Sequence, residues 1–138
     1  MSLFDTQKLT HYIMKKIIFT DKAPAPIGPY SQAILIGNTI YTSGQIPLTA
    51  TGELISTDIE AETKQVMENL KAVLEAGGAT FEHVVKTSIF ISNMDDFAKI
   101  NGVYGSYINE DTAPARETVQ VARLPKDVNV EISMIAVL

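Results

Sequence analysis

The chain predicts an α+β fold, a sheet of short strands with two helices on one of its faces, and three observations carry that expectation. Stretches that alternate at period two, from Arg116 to Val121 and from Val128 to Leu138, read as strands with one buried side. Two longer stretches, residues 58–76 and a second one entered at Asn93, repeat apolar residues at helical spacing. The elements fall in the order β-β-β-α-β-α-β-β, which supplies helical cover for one sheet face only. Self-association is the economical way to hide the other face.

At 138 residues, with 46% hydrophobic and 20% charged content, the chain is long enough for one real core and short for two. It has no cysteine, which excludes disulfides, thiolate metal sites and a cysteine nucleophile, and agrees with a cytoplasmic location. A net charge of −5, with no basic run longer than Lys15-Lys16, offers little to a nucleic acid. Neither a membrane-spanning run nor a signal-peptide core is present, so no membrane partner is expected. Residues 1–13 read as a flexible leader or extension before Met14-Lys15-Lys16, leaving 14–138 as a single domain.

The first strand, Ile17 to Phe19, runs into a stiff proline-rich loop, residues 22–29, which presents the Tyr30 phenol at a defined place. Strands 33–36 and 39–42 are joined by Gly37-Asn38, a two-residue hairpin signal, and deliver Ser43-Gly44-Gln45 at their far end. That end is either a bulge or a place where Gly44 allows close backbone approach and the neighbouring N–H groups and the Ser43 hydroxyl receive an oxygen. Thr57-Asp58-Ile59-Glu60 reads as a capping box, and Ala76-Gly77-Gly78 ends that helix. His83 precedes an apolar strand, Val84 to Ile91, expected to be buried on both faces, and reads as structural. Asn93 caps the second helix, in which Gly102 and Gly105 suggest close packing against a neighbour.

Two charged residues stand out. Arg116, at the start of a strand fixed by Pro114, carries a planar fork of donors suited to a carboxylate; a surface ion pair is the plainer alternative. On that strand Val119 and Val121 are expected to face the core. Glu131 lies mid-strand among apolar neighbours, so it must be paired with Arg116 or Arg123, hydrogen-bonded, or raised in pKa. If the two strands formed one hairpin through residues 124–127, Glu131 would lie roughly 13 Å from the position opposite Arg116, at ~3.3 Å per residue. Either the strands are not partners, or Arg116 meets Glu131 of a neighbouring chain; the uncovered face favours the second.

Four ordered motifs resemble the RidA (YjgF-like) family of reactive-intermediate deaminases: Gly28-Pro-Tyr-Ser-Gln-Ala33, Ser43-Gly-Gln-Ile-Pro47, Ala115-Arg116 through Leu124-Pro125, and Val130-Glu-Ile132 with Ile135-Ala136. The resemblance implies a chorismate-mutase-like homotrimer with a central barrel and clefts between subunits. It implies that Tyr30 and Asn101 face the cleft, that Ser43 and Gly44 receive a ligand oxygen, and that Glu131 holds and polarises a water. Thr118 stands where many members carry cysteine. Together these give Arg116, Glu131, Tyr30 and Ser43 as candidate catalytic residues, and Arg116, Gly44, Asn101 and Thr118 as candidate substrate-binding residues. With no metal motif or histidine pair, this inventory suits a substrate already electrophilic. The expected reaction is hydrolysis of 2-aminoacrylate and related 2-imino acids to 2-oxo acids and ammonia, with no metal and no cofactor. The alternative is a non-catalytic regulatory trimer that binds a small carboxylate.

Overall fold

The computed structural model describes residues 14–138, so the expected leader lies outside the described residues. Six strands, β1 (Lys16–Ile18), β2 (Ala33–Ile36), β3 (Thr39–Thr42), β4 (Val84–Ile91), β5 (Ala115–Gln120) and β6 (Val130–Val137), form one sheet in the order β1-β2-β3-β6-β4-β5. Helix α1 (Ile59–Ala76) lies between β3 and β4, and α2 (Phe97–Tyr107) between β4 and β5. This α+β order is the expected one. The pairing differs from expectation in one respect: β4 and β5 run parallel, with α2 in the crossover between them, and all other pairs are antiparallel. Strand β4 therefore sits between β5 and β6, and the hairpin that would have joined Arg116 and Glu131 does not exist.

The local chemistry explains the element ends. The β2–β3 hairpin closes with Ile36 opposite Thr39, and Gly37 takes the left-handed φ of 59° that its two-residue turn requires. Helix α1 is capped one residue later than expected: Asp58, not Thr57, accepts the Ala61 N–H at 2.7 Å. At its other end Gly78, at φ 85°, turns the chain so that the Ala79 N–H reaches the Leu74 carbonyl at 2.8 Å. His83 is structural, as expected; its Nδ1 accepts the Thr80 N–H at 3.0 Å. The Asn93 side chain accepts the Asp95 N–H and caps a single 3₁₀ turn, Met94–Asp96, that leads into α2.

Both helices pack on one face of the sheet. Met67, Leu70 and Leu74 of α1, with Ile100 and Tyr104 of α2, meet Ile40, Ile89, Ile132 and Met134 in the core. The other face is open: Ile17 is 60% exposed, Tyr41 48% and Val119 42%. Two expectations are corrected here. Val119 points to the open face rather than the core, because register pairs β5 with β4 so that Arg116 and Thr118, opposite Thr87 and Ile89, share the helix side. Strand β4 is buried on one side only, and a bulge between Val84 and Lys86 leaves Val85 exposed. Gly102 and Gly105 have no atom within 4 Å of where a side chain would begin, so the expected close packing is not met within the chain. Among the described residues, no helix is long and apolar enough to cross a membrane.

Candidate functional site

The loop after β3 and the middle of β6 build one cavity. Beyond the Tyr41–Ile135 pair, the next pairing joins Gln45 to Ile132, so four residue steps on one strand face three on the other. The extra residue makes a bulge at Ser43-Gly44, which was the plainer of the two sequence readings. The bulge opens a cavity of about 280 Å³ whose polar groups come from Tyr30, Ser43 and Glu131 and whose walls are Ile27, Ile46 and Pro125. The apolar walls were not singled out from sequence, although Ile46 and Pro125 belong to the quoted motifs.

Glu131 projects from the open face of β6, opposite Phe90. Neither arginine of the sequence reading reaches it: Arg123 pairs with Asp127 at 2.5 Å, and the Arg116 guanidinium donates to Asn101 Oδ1 at 2.7 Å. Left half-buried, the Glu131 carboxyl has its pKa raised by burial alone. Gly44 makes this placement possible, since a Cβ on it would overlap the Glu131 carboxyl, with Cδ only 2.7 Å away. The Tyr30 hydroxyl accepts the Ile27 N–H at 3.2 Å, and the Ser43 hydroxyl accepts from Gln45 Nε2 at 3.4 Å. The Tyr30 hydroxyl is thus backbone-bonded while the residue lines the cavity.

Arg116 lies elsewhere. Its guanidinium stands over the Tyr104 ring at 5.1 Å and the Phe97 ring at 5.8 Å, both on α2. The Tyr104 hydroxyl in turn donates to buried Thr87, so the stacking partner is itself anchored in the core. Asn101, Tyr104, Glu110 and Arg116 line a second cleft of about 310 Å³. No ion pair to Arg116 occurs among the described residues; the plainer reading of this arginine is not realised. The Thr118 hydroxyl, two residues along the same side of β5, is buried without a hydrogen-bond partner. Phe97, Tyr104 and Glu110 were not read as functional from sequence, and only the helical stripe containing the two aromatics hinted at them.

The candidate residues therefore form two groups. Tyr30, Ser43, Gly44 and Glu131 share the open-face cavity, whereas Arg116, Asn101 and Thr118 lie on the helix side of β5. Thr87 pairs with both Arg116 and Met134, and Glu131 is three residues before Met134. Two strand spacings and three residues put the Arg116 and Glu131 backbones about 14 Å apart, on opposite faces of the sheet. Among the described residues, no cluster of His, Asp or Glu is placed to hold a metal ion.

The chain is a mixed-sheet α+β domain with both helices on one face and a cleft on each side of the sheet. The chain belongs to the family described as Endoribonuclease L-PSP, whose model matches residues 20–138. It is 53% identical over 123 residues to the RutC family protein of Pyrococcus abyssi, covering 88% of this chain and 96% of that one. It is 48% identical over 127 residues to the 2-iminobutanoate/2-iminopropanoate deaminase of Escherichia coli, covering 90% and 98%. Among solved structures, the Rid family protein YyfA of Yersinia pestis matches with a TM-score of 0.88 at 46% identity, covering 91% of this chain and 100% of that one. Escherichia coli TdcF with bound serine matches with a TM-score of 0.84 at 45% identity, covering 89% and 98%. The family resemblance drawn from the four motifs is thus borne out.

Proposed function

We propose that this chain hydrolyses 2-aminoacrylate and related 2-imino acids to 2-oxo acids and ammonia, acting as a homotrimer whose three sites are each shared between two subunits. The observation that carries this reading is the half-buried Glu131 carboxyl beside the Tyr30 and Ser43 hydroxyls in a cavity to which no cationic side chain among the described residues contributes. The 48% identity to a named imine deaminase supports the same chemistry. Arg116 of one subunit binds the substrate carboxylate through its planar fork, with Asn101 and the two aromatic rings holding the guanidinium in place. Glu131 of the neighbouring subunit, with the Tyr30 or Ser43 hydroxyl, orients water at the imine carbon. For 2-iminopropanoate the balance is imine plus water giving pyruvate plus ammonia. The 14 Å separation and opposite-face placement of Arg116 and Glu131 support sharing, and the exposed Ile17, Tyr41 and Val119 give the subunits a face to bury.

No cofactor takes part; the substrate arrives already reactive, as a cytoplasmic product of pyridoxal-phosphate enzymes. Thr118 and Gly44 border the ligand rather than react with it. A net charge of −5 argues against RNA as the substrate. The decisive assay is ammonia and pyruvate release from freshly generated 2-aminoacrylate, which should accelerate with the protein; an unchanged rate would refute hydrolysis. One observation favours a second reading, a regulatory trimer that binds a small carboxylate: TdcF, similar over nearly the whole domain, has been solved with serine bound. Under that reading calorimetry would detect a small amino or oxo acid while the imine assay stayed flat.

A further inference from the structure

The loop that presents Tyr30 holds itself by few bonds: the Tyr30 N–H donates to the Gly28 carbonyl at 2.8 Å, the Ile27 N–H to the Tyr30 hydroxyl at 3.2 Å, and the Lys22 N–H to the Thr20 hydroxyl at 3.2 Å. Pro24, Pro26 and Pro29 remove three backbone donors from residues 20–31, leaving carbonyl groups in a sharply turned segment without N–H partners nearby. The structure supplies those donors from one side chain. Gln32, 1% exposed, sits two residues after Tyr30 and one before β2. Its Oε1 accepts the Thr20 N–H at 2.7 Å, and its Nε2 donates to the Thr20 carbonyl at 2.9 Å, to the Pro24 carbonyl at 2.9 Å and, at 3.4 Å, to that of Ala23. The reciprocal bonds to Thr20 continue the β1–β2 ladder one rung beyond its last pair, Ile18 with Ala33, using a side chain in place of a strand.

The same residue reaches the other wall of the cavity. Its main-chain carbonyl accepts the Ser43 N–H at 2.8 Å, one rung past the Ala33–Thr42 pair. One buried residue thus fastens both the proline loop and the bulge. Behind the Ile27–Tyr30 turn lies a small space of about 20 Å³ against Pro24, Gln32 and Leu48.

We infer that Gln32 is a positioning residue: its side-chain amide fixes the proline loop so that the Tyr30 hydroxyl stands at the cavity holding Glu131. Only the kinetic consequence rests on the hydrolase reading above; the placement of the phenol does not. Gln32→Met is the informative change, being close in volume and flexible but with no donor and only a weak thioether acceptor, and it leaves the carbonyl bond to Ser43 intact. Should that variant not accumulate as folded protein, Gln32→Glu serves instead: buried against carbonyls it holds its proton, keeping an acceptor for the Thr20 N–H and a single O–H donor where the amide served Thr20, Ala23 and Pro24.

The first readout needs no activity. In protein labelled at tyrosine ¹³Cζ, the Tyr30 resonance, assigned by its loss in Tyr30→Phe, should shift or broaden in Gln32→Met. The resonances of Tyr104 and Tyr107, bonded to Thr87 and Glu68 in the helical layer, should stay in place. The second readout is kinetic. On 2-iminopropanoate, Gln32→Met should lower kcat between about 10- and 100-fold, the scale expected for a reacting group displaced by about 1 Å. In a Tyr30→Phe background the same change should cost no more than about twofold, because there is no hydroxyl left to misplace. An unmoved Tyr30 resonance in the folded variant would overturn the inference, as would losses that simply add in the double variant. If wild-type protein had no hydrolase activity, that would dispose of the proposed function, and the resonance would still decide whether Gln32 positions Tyr30.

Discussion

Gly44→Ala adds one methyl group where the Glu131 carboxyl already lies. Gly44 is not one of the glycines with left-handed backbone, which are Gly37, Gly52 and Gly78, so alanine meets no torsional penalty there. The contact alone decides the outcome. An ideal Cβ would stand 2.7 Å from Glu131 Cδ and 2.9 Å from Cγ. Carbons in contact keep about 3.5 Å or more, a shortfall of about 0.8 Å at Cδ (3.5 − 2.7). Rotation of the half-buried Glu131 side chain relieves this more cheaply than movement of the sheet, at about 1 kcal/mol for an off-rotamer torsion. Thermal stability should therefore fall little, while the carboxyl moves away from the position proposed to orient water. A displacement near 1 Å predicts a loss of about 100-fold in kcat on 2-iminopropanoate, with KM unchanged if Arg116 is the carboxylate anchor, as proposed. Ammonia-release kinetics and a melting curve on the same preparation measure both quantities. In a Glu131→Ala background the added methyl should have no further effect. If kcat stayed near wild type, or only KM rose, Gly44 would instead serve close approach of the ligand, as its sequence context first suggested.

Arg116→Ala should give a folded, assembled protein without imine hydrolysis, and Arg116→Lys should also fail, since a point charge lacks the bidentate fork; activity near wild type in either would remove Arg116 from the site. Glu131→Gln should lower turnover more than ligand affinity. Burial holds the Glu131 pKa above its ordinary value of 4.5, so the folded state keeps the proton that the unfolded state gives up. Glu131's own share of the stability is therefore fully present below about pH 4 and lost as pH rises through its folded pKa, and Glu131→Gln lacks that one loss; melting curves from about pH 4 to 7 should show the variant gaining on wild type, and a variant that lost ground to wild type over that range would contradict the burial assignment. Mixing inactive Arg116→Ala chains with inactive Glu131→Gln chains should restore part of the activity once subunits exchange, and no recovery after demonstrated exchange would sink the shared site.

Features set by neighbouring residues were legible in the sequence: the Gly37-Asn38 turn, the close of α1 at Gly77-Gly78, and the Asn93 cap all rest on short-range geometry. Strand partnership was not, because it is decided by chain that is distant in sequence. Nothing near β5 or β6 says that β4 will lie between them. Alternation also separates two sides of a strand without saying which meets the helices. Val119 was assigned to the core because valine is apolar, yet the paired register gives the core side of β5 to Arg116 and Thr118. The site divided accordingly. Tyr30, Ser43 and Glu131 line one cavity, whereas the distance from Arg116 to Glu131 became legible only through the register of β4 with both strands.

The surplus residue at Ser43-Gly44 is, in the language of lattices, a dislocation. Deleting Gly44 would heal it: Ser43 would fall opposite Ser133 and Gln45 would meet Ile132 with no step skipped, giving a ladder more regular than the present one. The healed sheet would have no gap for a buried acid to occupy. Regularity and the cavity are thus alternatives at this point in the chain, separated by one amino acid. The extra residue is what keeps the space beside Glu131 open.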